Sequence, residues 1–258
     1  MKKIILGIGL LMGMATTSLS ADDRHALRLS VGYVAYDLDK TQNIVDGSVD
    51  STANWGDIDG YEVSGDVIVN DGLMFGNSNY LTVRYENLEG TAELGSGTGS
   101  LNSEYEIKTI EVFMTEMELN RDREYFVGIV GGFKTIDIMT DGVDQELDWI
   151  DVGVTAGYTE YFFRNFGVGV AATAKIAINP KVKLGGGTDN GDFDLNHVYS
   201  YEFKIPLTYK MGSAFALYWD TSYEYYDIGS TDTTRGLSFM SSEMNNYKSI
   251  VGFRMSIN

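Results

Sequence analysis

The feature that most constrains this chain is a two-residue rhythm of apolar and polar side chains, recurring about ten times along it. A strand turns successive side chains to opposite faces, so the rhythm assigns one face of each segment to an apolar medium and the other to a polar one. The clearest run sets Ile150, Val152, Val154, Ala156 and Tyr158 against Asp151, Gly153 and Thr155. Another sets Tyr199, Tyr201, Phe203, Ile205, Leu207 and Tyr209 against Ser200, Glu202, Lys204 and Thr208. The fourth run, from about Tyr105 to Met117, slips in phase near Lys108 and Thr109, which predicts a β-bulge there. Pro206 interrupts the eighth run; lacking an N–H, it predicts a bulge or a weakened strand pair.

The connections between runs alternate in length. Long polar links occupy roughly 37–59, 87–104, 139–148, 179–196 and 227–245, and short ones lie near 70–78, 119–124, 164–166 and 210–214. Strands that start and end on one side, with tight turns there and long loops opposite, make an up-and-down barrel. The reading is therefore all-β: a transmembrane antiparallel barrel of about 10 strands, with 8 or 12 as alternatives, short periplasmic turns and long extracellular loops.

Composition supports it. Gly 30, Tyr 17 and Phe 12 against Pro 2 and Cys 0 favour strands and glycine turns, and a disulfide framework is excluded. A formal charge of -18 excludes nucleic acid as a partner, because phosphates demand a basic surface. Residues 1–21 read as a signal peptide: Lys2 and Lys3, an apolar stretch from Ile4 to Met14, and small residues up to Ala21. The barrel domain is then 22–258. Nothing later approaches the roughly 18 consecutive apolar residues of a spanning helix.

Alternation alone would also fit a soluble barrel, so the direction of each face must be argued. The polar faces carry Arg28, Glu62, Asp66, Arg84, Glu86, Lys134, Asp151, Lys175, Glu202, Lys204, Asp220, Glu224 and Arg254, mixed in sign and interleaved with glycine. Glycine and opposed charges suit a narrow lumen, where side chains meet and neutralise one another. These residues are expected to line the lumen. Aromatics band near the strand ends, and Tyr61, Tyr85, Trp149, Tyr201, Tyr209, Phe215 and Tyr223 are expected at the membrane interfaces, where amphipathic rings settle. Tyr105 falls in the same band. In this pattern, over the whole chain after residue 21, the sequence resembles the small bacterial outer-membrane β-barrel proteins, the superfamily of OmpA-like and Opa-like barrels. It departs from them in ending Phe253-Arg254-Met255-Ser256-Ile257-Asn258 rather than on an aromatic. The resemblance implies a place in the cell outer membrane of a Gram-negative bacterium, contact with its lipid and lipopolysaccharide, and insertion by the barrel-assembly machinery.

No cofactor, metal or catalytic site emerges from the residues. Among near-neutral bases there are His25, which reads as an interfacial residue at the start of the first strand, and His197, which follows Asp192 and Asp194. Omptin-like proteases and lipid A deacylases place a histidine at such a rim, but Asp194 lies three residues away and Ser200 on the opposite face. Acidic loop residues, Asp37, Asp39, Asp46, Asp50, Asp57 and Asp59 in one and Asp141, Asp144, Glu146 and Asp148 in another, read as solvated surface open to an extracellular ligand. The stretch Asp189-Asn190-Gly191-Asp192-Phe193-Asp194 lacks calcium-loop spacing. A structural or surface-interaction barrel fits best, ahead of a narrow porin-like channel for small solutes and, last, an outer-membrane hydrolase.

Overall fold

Strand-forming residues with almost no proline produce long ladders. The computed structural model of the chain describes residues 27–42, 52–71, 78–96, 99–120, 122–140, 143–163, 165–185, 191–231 and 241–257. The expected signal peptide, His25, Asp46, Asp50, Asp141 and Asp189 lie outside them. The strands are β1 (Leu27–Gln42), β2 (Thr52–Asp71), β3 (Ser78–Ser96), β4 (Gly99–Asn120), β5 (Arg123–Thr140), β6 (Val143–Phe162), β7 (Phe166–Gly185), β8 (Gly191–Asp194), β9 (Val198–Lys210), β10 (Phe215–Ile228) and β11 (Ser242–Ile257). Ten of them pair antiparallel in sequence order, while the short β8 folds back on the end of β7. β1 pairs with β11 and β6 with β7, so the ring is closed.

Register fixes its dimensions. Hydrogen-bonded partners lead from Val31 through Val63, Tyr85, Ile110, Phe133 and Ile150 to Ile178 of β7, whereas the opposite path through Phe253, Leu217 and Tyr209 ends at Phe166. The two ends differ by twelve residues, which is the shear of the ring. With ~3.3 Å per residue and ~4.8 Å between strands, ten strands at that shear tilt by about 40° on a radius of about 10 Å. The 20 residues of β6 then rise by about 50 Å, although roughly 9–11 residues suffice to cross hydrocarbon.

The extra height explains why two expectations fail. Within 87–104 and 139–148 the described residues are strand: β3 and β4 stay paired up to Ser96 opposite Gly99, and β5 and β6 up to Thr140 opposite Val143. β4 also runs past Lys108 and Thr109 with unbroken register to both neighbours, so no bulge lies there. What changes is the medium. Ile110, Val112 and Met114 face outward, and above them Tyr105 and Ile107 are buried inside. The apolar face moves from the outside of the wall to the inside.

Every strand that rises past this level repeats the exchange. Leu88, Ile107, Ile136, Leu147 and Val182 form one lateral row inside the ring, each almost wholly buried. They join Leu38, Ile58, Ile228 and Met244 in a continuous apolar cluster, each side chain contributing about 1.5–3 kcal/mol by leaving water. On the outside of the same tier, Asp59, Glu89, Glu106, Asp137, Glu146 and Lys183 stand side by side on neighbouring strands. Partial burial, with Glu146 alongside, holds the Asp137 carboxyl above its ordinary range.

Two irregularities are real. The β2–β3 register shifts between Ile68 and Asn70, and the β6–β7 register shifts between Asp148 and Ile150. In the second, Asn179 adopts a left-handed φ of 50°, a conformation asparagine tolerates better than most residues. Pro206 keeps its register opposite Asp220, while the ladder to β7 is interrupted between the Val168–Leu207 and Ala171–Lys204 pairs. The weakened pair is therefore on one side only.

Candidate functional site

The lumen is where the chain concentrates its chemistry, because ten strands on a ~10 Å radius leave room for little besides their own inward side chains. All thirteen residues assigned to the lumen from the polar phase lie on the inward face, where they are buried or half-buried. They are joined by residues the phase argument did not collect, Glu111, Lys248, Glu124 and Lys210.

The mid-height belt is organised by three cations. Arg84 donates from Nε to Glu111 Oε2 at 2.8 Å and again from Nη2, and its guanidinium stands 3.8 Å from Glu62 and 3.9 Å from Glu202. Lys175 donates to the other Glu111 oxygen at 2.6 Å and lies 3.8 Å from Asp151. Lys248 pairs with Glu86 and, at 3.4 Å, with Glu224. Lys134 donates to the Tyr226 hydroxyl at 2.7 Å, and Tyr226 and Tyr36 both donate to Glu224. Each buried charge thus has an opposite partner or an aromatic hydroxyl, the condition under which burial is tolerated.

Toward the short-turn end the lumen opens into a cavity of about 220 Å³. Arg28 meets Asp66 at 3.2 Å near its mouth, and Tyr161 donates to Glu124 at 2.9 Å. Arg254 donates to Ser30 at 3.2 Å and lies over the Tyr218 ring. Between these groups the wall carries threonine hydroxyls and the rings of Phe113 and Phe126. Toward the loop end, above the belt, the apolar cluster fills the interior. Lys40 is enclosed there, its ammonium 3.5 Å from Gln145, and burial pushes it down to about 8.

The aromatic positions divide. Tyr61, Tyr201, Tyr209 and Phe215 are exposed on the outer wall, with Tyr85 and Tyr223 half-exposed beside them. Trp149 corrects the expectation: it is 1 % exposed, points into the lumen and packs against Tyr226. Tyr105 is likewise inside. Both sit above the level at which the apolar face turns inward, so their alternation with Asp148 and Glu106 has the reverse meaning.

His197 lies on the outer side of β9, 3.5 Å from Asp227 and against the Tyr199 ring, while Ser200 points into the lumen. These residues form no nucleophile-and-base arrangement. Asp37, Asp57 and Asp59 are on outward strand positions rather than loops, as are Asp144, Glu146 and Asp148. Among the described residues no three acidic or histidine side chains are grouped so as to hold a metal ion.

No family model and no curated protein sequence matches the chain. Solved structures do. The outer membrane protease OmpT of Escherichia coli matches with a TM-score of 0.59 at 9 % identity, over 94 % of this chain and 100 % of that one. The transport unit of the autotransporter AIDA-I of Escherichia coli gives 0.47 at 12 % identity, covering 96 % and 97 %. Ail, the attachment invasion locus protein of Yersinia pestis, gives 0.37 at 13 %, covering 90 % and 99 %. At 9 % identity the likeness to OmpT concerns fold, and with the closed antiparallel ring it defines the class: the chain has the up-and-down barrel of outer-membrane proteins. Within that class it is a ten-stranded barrel whose loop-end interior is filled by its own apolar side chains.

Proposed function

We propose that the protein is an integral outer-membrane barrel with a structural or surface-interaction role, and that its lumen conducts nothing. The observation that carries this reading is the apolar cluster across the loop-end half of the lumen. Its members, among them Leu38, Leu88, Ile136 and Leu147, are fully buried and borne by the wall strands themselves. An ion entering that tier would lose its hydration without gaining ligands. With transport closed off, the raised collar with its outward carboxylates is the part that meets the exterior, and lipopolysaccharide and an extracellular ligand are the partners it fits. The -18 charge favours a basic or cation-bridged one.

The experiment is reconstitution in planar bilayers. Silence supports the sealed barrel; steady unitary currents overturn it and establish a narrow channel. The likeness to a protease lends a hydrolase some support through fold alone. Loss of peptide or lipid A hydrolysis in His197→Ala, given a wild-type activity to lose, would establish that class instead.

A further inference from the structure

We propose that the short-turn half of the lumen is a binding chamber for one neutral sugar ring, reached from the short-turn end. The charged groups of the chamber answer one another. Arg28 stands 3.2 Å from Asp66, Arg84 lies between Glu62 and Glu202, and Lys204 lies between Glu202 and Asp220. Arg254 donates to Ser30 and covers the Tyr218 ring. A lining so matched calls for neither a cation nor an anion.

What the lining leaves unmet is hydrogen bonding by hydroxyls. Ser64, Thr82, Thr115, Thr159 and Thr208 all line the chamber, and among the described residues their hydroxyls have no protein partner. These oxygens keep surface open to the chamber, whereas the hydroxyls of Tyr80 and Tyr218 are sealed within the wall. Each serine or threonine hydroxyl donates one hydrogen bond and accepts others, so the wall suits a guest that does both at several points. A polyol does so without carrying charge into the lumen.

Water would meet the hydroxyls but not the rest of the wall. Phe126 lies over Gly157, where any side chain would collide with its ring carbons, and with Phe113, Met117, Ala171 and Pro206 it gives the same chamber apolar surface. A sugar ring carries hydroxyls round its rim and C–H groups on its faces, which matches a wall of both kinds. At about 220 Å³ the chamber is below the roughly 300–1,000 Å³ of drug-sized sites, so it takes a single ring. The chamber and the apolar cluster occupy opposite halves of the lumen, so unitary currents would defeat the sealed-barrel reading and leave this one untouched.

The test is a ligand-detected NMR titration of D-glucose against the full chain, folded in micelles of a detergent without a sugar headgroup. Saturable binding with a Kd on the order of 1 mM is expected, and none with n-butylammonium or butyrate. Thr115→Val combined with Thr208→Val keeps the shape of the wall, removes two hydroxyls and weakens binding by about tenfold. Thr173→Phe fills the chamber and abolishes binding, which keeps the test decisive should the valine variant fail to fold. Heat-shifted gel mobility confirms that each variant is folded. A glucose signal that never saturates means that water alone fills the chamber; that result, equal binding of either ion, or undiminished binding in a folded variant would overturn the proposal.

Discussion

Along β6 from Tyr158 to Ile150, Val154 and Val152 face outward while Thr155 and Asp151 face in; a few residues on, Asp148 and Glu146 face outward and Trp149 and Leu147 face in. The backbone geometry is the same in both stretches and the partition of side chains is opposite. The lower stretch is solvated by lipid, so its apolar side chains gain nothing by turning inward, and its charges must find one another across the lumen. The upper stretch is solvated by water and is built as a soluble β-protein, with carboxylates outside and a packed apolar interior. The level at which the two arrangements meet marks the edge of the lipid-facing band on the protein.

This contrast can be broken or sharpened in three ways. The largest effect is expected at Glu111, which holds Arg84 and Lys175 together in the lower lumen. Glu111→Gln leaves two buried cations short of a partner and costs about 3–5 kcal/mol, read as a lower urea midpoint in micelles. A cost under 1 kcal/mol would mean that the belt is hydrated rather than internally paired. Next, Val154 is 61 % exposed in the middle of the lower band and Met139 is 50 % exposed on the upper wall. Val154→Arg should destabilise the protein in liposomes by about 2–4 kcal/mol, and Met139→Arg by less than about 0.5 kcal/mol. Equal effects would dissolve the boundary.

The third concerns Lys40 in the upper interior. Its folded pKa, about 8, lies below the ordinary 10.5, so the unfolded chain binds more protons between those values and stability climbs as pH rises through that window. Lys40→Met should flatten that climb and raise stability near pH 7 by about 2–3 kcal/mol. A pH profile shared by wild type and variant would place Lys40 in contact with water.

The lower tier was legible in the sequence because its rule is uniform: one phase meets lipid, and the other carries charge and glycine. Arg28, Glu62 and Lys204 share the inward phase of that tier. The upper tier was not legible, because alternation reports two unlike environments without saying which is enclosed. Ile107 and Ile110 are both apolar and face opposite ways, which in the sequence resembles a slip of register at Lys108. The same ambiguity turned Trp149 outward and hid Glu111. Lys248 was missed because its strand begins at Ser242, inside what reads as a polar link. The pairing of Arg84 with Glu62 and Glu202 depends on side chains from separate strands, and no single stretch of chain contains it.

The bulge at Asn179 sets how this protein can change over generations. Below it β7 turns Thr173 and Lys175 inward; above it the extra residue lets Val182 turn inward while Lys183 reaches Glu146 and Asp148 on the outside. Deleting that one residue would carry two lysines into the greasy upper interior and two aliphatic side chains into water. Single-residue gains and losses should therefore accumulate in the links between strands, while the walls diverge by replacement alone.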